Sequence, residues 1–183
     1  MKRTSAAKRI ALLSLMTALS LISFLLEALL PVLPVPGAKI GLSNIFSLLP
    51  LFLSGLGDAL LIVICRTVLG ALFAGNASML LYSLTAGVAA VAAARLMLLF
   101  TPKISLVCVS VVSAVCHNFT QLFVYSLLTR TPLILYYAPV LLAAGMIAGG
   151  VVGATAVSLL RACPLFSRSG AGGSGASMQA EAL

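Results

Sequence analysis

Residues Ile104–Leu128 read ISLVCVSVVSAVCHNFTQLFVYSLL, a stretch without a single Asp, Glu, Lys or Arg. A helix rises about 1.5 Å per residue and needs roughly 20 apolar residues to cross the hydrocarbon of a bilayer, so this stretch alone is long enough to span one. Working outward, similar runs cover approximately Ile10–Leu30, Asn44–Leu56, Ala59–Ala74, Ser78–Phe100 and Leu133–Leu160. The chain as a whole is 62% apolar and 8% charged over 183 residues. Its mean hydropathy is +1.22. That leaves too little polar surface to cover a water-soluble globule, and the expected fold is an all-α integral membrane bundle of about six transmembrane helices.

The breaks between runs are chemically suited to stopping helices: Pro31-Val-Leu-Pro34-Val-Pro36-Gly37, Ser54-Gly55-Leu56-Gly57-Asp58, Gly75-Asn76, Thr101-Pro102-Lys103 and Thr129-Arg130-Thr131-Pro132. The first is the longest and stiffest, because three prolines fix φ and remove donors, which favours a shaped loop over a tight turn. The second run, Asn44–Leu56, is short. Either the preceding loop completes it, or it is a tilted or re-entrant piece.

Basic residues then orient the bundle. Lys2, Arg3, Lys8, Arg9, Arg95, Lys103, Arg161 and Arg168 fall on one face, against Lys39 and Arg130 on the other, with Arg66 left inside the third span. This bias places both termini in the cytoplasm of a multi-pass protein of the plasma (inner) membrane. Residues 1–9 form a basic cytoplasmic start, and 10–160 a single transmembrane domain. Residues 161–183 are expected to be a flexible cytoplasmic tail, since their Gly/Ser-rich composition cannot bury apolar surface. The basic start followed by an apolar run also fits a signal peptide, but the run is long, shows no small-residue cleavage site and is read as the first span.

The net charge of +8 does not indicate nucleic acid, because the basic residues stand singly between apolar runs with no aromatic interleaving. Cys65, Cys108, Cys116 and Cys163 lie within or beside apolar segments and have no paired CxxC spacing, so no disulfide framework, metal site or cofactor is expected. No Walker motif is present, which excludes ATP hydrolysis by this chain itself.

With a topology, each polar residue acquires a depth. Glu27 lies near the outer end of the first helix, and Lys39 and Asn44 in or just after the outer loop. His117, Asn118, Gln121 and Tyr125 lie in the outer half of the fifth helix. His117, Gln121 and Tyr125 recur every four residues, with Ser113 one turn below, so they share a face that should point into the bundle. Such a stripe lines a pocket or ties helices together by hydrogen bonds. Arg66 sits near mid-membrane, where its insertion costs about 2.5–3.5 kcal/mol, and therefore requires a partner. Glu27 is the candidate partner, so that Arg66 either forms a structural ion pair with it or anchors an anionic ligand.

Small residues are distributed differently. Ala7, Ala11, Ser14 and Ala18 mark the inner half of the first helix, a face suited to docking another membrane helix. Gly145, Gly149 and Gly153 form a GxxxGxxxG groove in the sixth, suited to packing within this bundle or against a partner.

Three motifs, Pro36-Gly37-Ala-Lys39-Ile-Gly41-Leu-Ser-Asn44, Arg66-Thr-Val-Leu-Gly70 and His117-Asn118-Phe-Thr-Gln121, occur in an order that resembles the Gx transporter family. Its members are often labelled heptaprenyl diphosphate synthase component I, and it is related to the substrate-binding S components of energy-coupling-factor transporters. The resemblance covers roughly Lys8 to Leu160. It implies a six-helix S component that binds a small organic molecule near the outer surface under the first loop. It also implies a transmembrane coupling protein, driven by cytoplasmic ATPases, docked on the small-residue face of the first helix. Carried onto this chain, Lys39, Asn44, Arg66, His117, Asn118 and Gln121 become the ligand-site candidates. The synthase label implies at most a non-catalytic membrane subunit. Prenyl transfer needs clustered aspartates to hold magnesium, and Glu27, Asp58 and Glu181 are the only acids and lie apart.

Overall fold

The computed structural model describes residues 6–29, 41–101 and 104–162. Lys39, the proline-rich loop, Cys163 and the Gly/Ser tail lie outside the described residues. Six α-helices make up the fold: α1 (Ala6–Leu29), α2 (Ile45–Leu53), α3 (Leu56–Ala74), α4 (Ala77–Phe100), α5 (Leu106–Thr129) and α6 (Ala138–Ala162). A 3-10 turn, Leu42–Asn44, leads into α2, and a 3-10 helix, Pro132–Tyr137, leads into α6. Five helices are long and apolar enough to cross a membrane. The exception is α2, whose nine residues reach only about 13 Å. It is a half-depth element, and the short second run of the sequence is explained by it.

Helix ends follow local chemistry. Asn76 and Ser105 cap α4 and α5 by accepting from the backbone N–H of Met79 (3.2 Å) and Cys108 (3.3 Å). Pairwise registers fix the directions. Helices α1 and α3 run parallel, with Arg9 beside Asp58, Ser20 beside Arg66 and Phe24 against Gly70. Helices α4 and α5 run antiparallel, Ser113 Oγ donating to the Ala90 carbonyl at 3.1 Å and Tyr125 meeting Tyr82. Both ends of the described chain therefore lie at one end of the bundle, called here the terminal end; the opposite is the loop end.

The two halves have different interiors. At the terminal end, Ile45, Leu48, Leu49 and Leu51 of α2 pack among Ala59 and Val63, Val91 and Ala94, Val109, Val152 and Ala156 of the four helices around it. So α2 fills the centre of that half as an apolar plug. Polar burial is concentrated beyond its first turn. At the terminal rim, Asp58 is buried and bound through both carboxylate oxygens by the mostly exposed Arg9. This ion pair ties the start of α1 to the start of α3.

On α1 the buried positions Met16, Ser20, Phe24 and Glu27 recur at helical spacing and face the bundle. Ala7, Ala11, Ser14 and Ala18 lie on the other side and are exposed. The glycines of α6 are covered instead: a Cβ added at Gly149 would stand 2.7 Å from Val111 Cα and 3.0 Å from the Ser110 carbonyl of α5. Equivalent contacts at Gly145 and Gly153 fall on Val115 and Val107, so the groove holds the α5 backbone. Replacing Gly149 by Val is expected to force α5 and α6 apart and cost about 1–3 kcal/mol or more, read as a lower melting temperature in detergent. Gly150→Val, where nothing lies within 4 Å, serves as the matched control and should melt near the wild-type temperature.

Candidate functional site

Arg66 lies ten residues into α3, about 15 Å from its start, and is 2% exposed. A guanidinium at that depth demands acceptors, and the short α2 is what brings them. Because α2 begins at mid-depth, its first turn presents Asn44 to Arg66, and Nη2 donates to Asn44 Oδ1 at 2.9 Å. From α1, the Ser20 hydroxyl accepts a longer bond from Nη1 at 3.5 Å and donates to the Ser43 carbonyl at 3.1 Å. The N–H of Ser43 in turn donates to Glu27 Oε1 at 3.2 Å. Glu27, 5% exposed, thus holds the opening turn of α2, where an anion also complements the free N–H groups of a helix start. It attracts Arg66 electrostatically as well. One polar chain therefore runs Arg66, Ser20, Ser43, Glu27 and joins α1, the 3-10 turn that leads into α2, and α3.

The guanidinium is not fully used. Its Nε is buried and has no hydrogen-bond partner, which leaves one donor unspent in a medium where unspent donors are costly. Helix α4 passes this point with Gly87, where an added Cβ would stand 2.6 Å from Val63 Cγ1 and 3.6 Å from Arg66 Nη2. Only glycine lets the α4 backbone come so close. One turn further toward the loop end, the buried hydroxyl of Ser83 is likewise without a hydrogen-bond partner.

Helix α5 contributes from the other flank of α4. Ser113, His117 and Gln121 are all buried. Since Ser113 bonds Ala90 and Tyr125 meets Tyr82, the antiparallel register brings His117 and Gln121 level with the segment between Ala86 and Tyr82. Arg66, whose Nη2 would stand 3.6 Å from a Cβ on Gly87, lies at that same level. Toward the loop end, Phe24 of α1, Met79 and Tyr82 of α4 and the half-buried Tyr125 of α5 form an aromatic cluster. The rings of Tyr82 and Tyr125 meet edge to face at 5.7 Å and 81°.

Asn118 goes elsewhere. Its neighbour His117 is about 100° away around the helix, and Asn118 Nδ2 donates to the Leu141 carbonyl of α6 at 3.2 Å, lying over Gly145. It belongs to the α5–α6 contact. Of the candidate residues, the structure brings Glu27, Asn44 and Arg66 into one network and sets His117 and Gln121 at the same level. It puts Tyr125 in the aromatic cluster above. Sequence reasoning missed Ser20, Ser43, Ser83 and Gly87. Ser20 was legible in part, lying seven residues before Glu27 and so on the same helix face. Nothing local marks Ser43 or Gly87, whose roles arise from the half-depth start of α2 and the approach of α4.

The sequence profile of a family described as heptaprenyl diphosphate synthase component I matches residues 16–159. No curated protein matches the chain.

Proposed function

Since the chain belongs to the heptaprenyl diphosphate synthase component I family, with a match reaching across all six helices, we propose that it is a substrate-binding membrane subunit. In this reading it captures a small organic molecule in the loop-end half of the bundle and works with a transmembrane coupling protein and cytoplasmic ATPases. The loop end faces outward, with both termini in the cytoplasm of the plasma membrane. The observation that carries it is the unspent Nε of Arg66, a buried cationic donor at mid-depth that awaits an acceptor. Ionisable groups inside membranes are retained where they meet a substrate or a partner, and here the protein partners use only the terminal nitrogens. His117, Gln121 and the Ser83 hydroxyl supply further polar groups around the same level, and the Tyr82–Tyr125 pair closes it toward the loop end. Lys39 and Asn118 complete the proposed set, the first by resemblance and the second as the support of the α5 wall.

The apolar plug of α2 under this region suits a binding subunit, because it separates the ligand level from the terminal end. The exposed Ala7, Ala11, Ser14 and Ala18 face is proposed as the docking surface for the coupling protein.

The family's description favours a second reading, a non-catalytic membrane subunit associated with heptaprenyl diphosphate synthesis. Catalysis by this chain is not part of either reading, since Glu27 and Asp58 are committed at opposite ends of the bundle and cannot share a magnesium ion. Purification in a mild detergent, with mass spectrometry of both bound small molecules and attached proteins, separates the two. A stoichiometric small molecule with coupling ATPases supports the transporter subunit. An empty chain carrying a soluble prenyl synthase would replace it with the second reading.

A further inference from the structure

Arg130 is the only residue other than glycine with a positive φ among the described residues, at 53°. It closes α5 in the left-handed conformation that glycine or asparagine usually supplies, at a cost of roughly 1 kcal/mol or more. Two backbone bonds lock it there, Arg130 N–H to the Leu127 carbonyl and Thr131 N–H to the Ser126 carbonyl at 3.2 Å. The turn therefore accepts strain while an exposed arginine is held at the rim of the bundle. Strained backbone of this kind clusters where a side chain has a function.

Beside Arg130 lies an open hollow of about 250 Å³, lined by Phe123, Ser126, Leu127, Arg130 and Pro132. Phe123 and Leu127 are 52% and 70% exposed, so the hollow opens sideways, where the membrane would be. From Phe123 to Arg130 it follows about 10 Å of α5. The 3-10 helix Pro132–Tyr137 beside it buries no residue, and Leu133 and Tyr136 are among the most exposed side chains described. Tyrosine there is typical of the headgroup level.

The electrostatics single out the guanidinium. The local hydroxyls are already engaged: Ser126 donates to the Thr131 carbonyl, Thr131 to that of Thr129, and Thr129 to that of Tyr125. No acid exists in the sequence between Asp58 and Glu181. Asp58 is paired with Arg9 at the terminal end, and Glu27 holds the first turn of α2. Among the described residues, no carboxylate pairs with Arg130, which stands at the loop-end rim above an apolar groove.

We propose that this hollow is a binding site for an anionic phospholipid, with the phosphate on the Arg130 guanidinium and an acyl chain lying along Phe123 and Leu127. The site is separate from the buried Arg66 network and does not depend on the transport reading. A strongly hydrated lysine would need no fixed rim position, whereas the planar guanidinium matches phosphate oxygens in pairs. This gives a reason for keeping arginine where glycine would be relaxed.

The test is native mass spectrometry of the full-length protein in detergent, titrated with phosphatidylglycerol and phosphatidylcholine of identical chains. Wild type should retain phosphatidylglycerol about fivefold better, the expected effect of one basic residue at the lipid surface. Arg130→Gly should fold and melt at or above the wild-type temperature, because glycine relieves the positive φ, while the preference falls to near unity. Leu127→Trp, which fills the hollow, should lose the retained lipid of either kind. Equal retention of the two lipids by wild type, an unchanged ratio in Arg130→Gly, or undiminished binding in Leu127→Trp would each overturn the proposal.

Discussion

Replacing Arg66 with Met is expected to lower the stability of the purified protein by about 3–5 kcal/mol and to abolish ligand capture, because it leaves a buried network half made. Met fills most of the space but offers Asn44 and Ser20 no donor and removes the positive charge that attracts the buried Glu27. A second substitution separates structure from function. With Glu27→Gln added, the buried negative charge is gone and the amide oxygen still accepts from Ser43 N–H, so much of the melting temperature should return. Ligand should stay absent in the double variant, since the unspent Nε is missing from it. A double variant that melts normally and still binds ligand would reduce Arg66 to a structural role and remove the observation on which the proposed function stands.

His117→Ala and Gln121→Ala should each weaken retention of the co-purifying ligand by about 10- to 100-fold, as expected for one or two lost hydrogen bonds in a dry site. Asn118→Leu should behave in the opposite manner. Its side chain bonds the Leu141 carbonyl and lies 3.0 Å from the position of a Cβ on Gly145, so a branched apolar replacement strains the α5–α6 contact. A loss of about 1–3 kcal/mol in stability is expected, with ligand affinity in the surviving folded fraction little changed. Equilibrium binding and thermal melting on the same preparations give both readouts. If all three variants lose stability alike with no change in affinity, the stripe on α5 is packing alone.

The adjacent pair His117 and Asn118 shows what was legible in the sequence. Their shared depth and the motif His117-Asn118-Phe-Thr-Gln121 group them as site candidates, whereas the helical angle of about 100° between neighbours assigns them to different faces. The four-residue spacing of Ser113, His117 and Gln121 was a sounder guide, and all three are buried. The spans were legible because an apolar run of 19 to 25 residues has few other solutions. The nine residues of α2 were suspicious for the same reason. Their consequence, a helix start at the level of Arg66, was not, because where a half-depth element begins is set by its packing among α3, α4, α5 and α6. Arg9 and Asp58 read as a topological charge and an isolated acid. Their pairing depends on the parallel register of α1 and α3, which no local pattern encodes.

The order of groups around Arg66 has a further consequence for how the protein is made. Its polar partners, Ser20 and Asn44 directly and Glu27 through Ser43, all precede it in the chain. During synthesis the acceptors have already left the ribosome when the α3 charge arrives, so the 2.5–3.5 kcal/mol or so of inserting an arginine is offset on entry. Helices α4 to α6 supply none of these hydrogen bonds and complete the packing that holds α2 in place. They join a three-element nucleus whose most expensive charge is already accommodated.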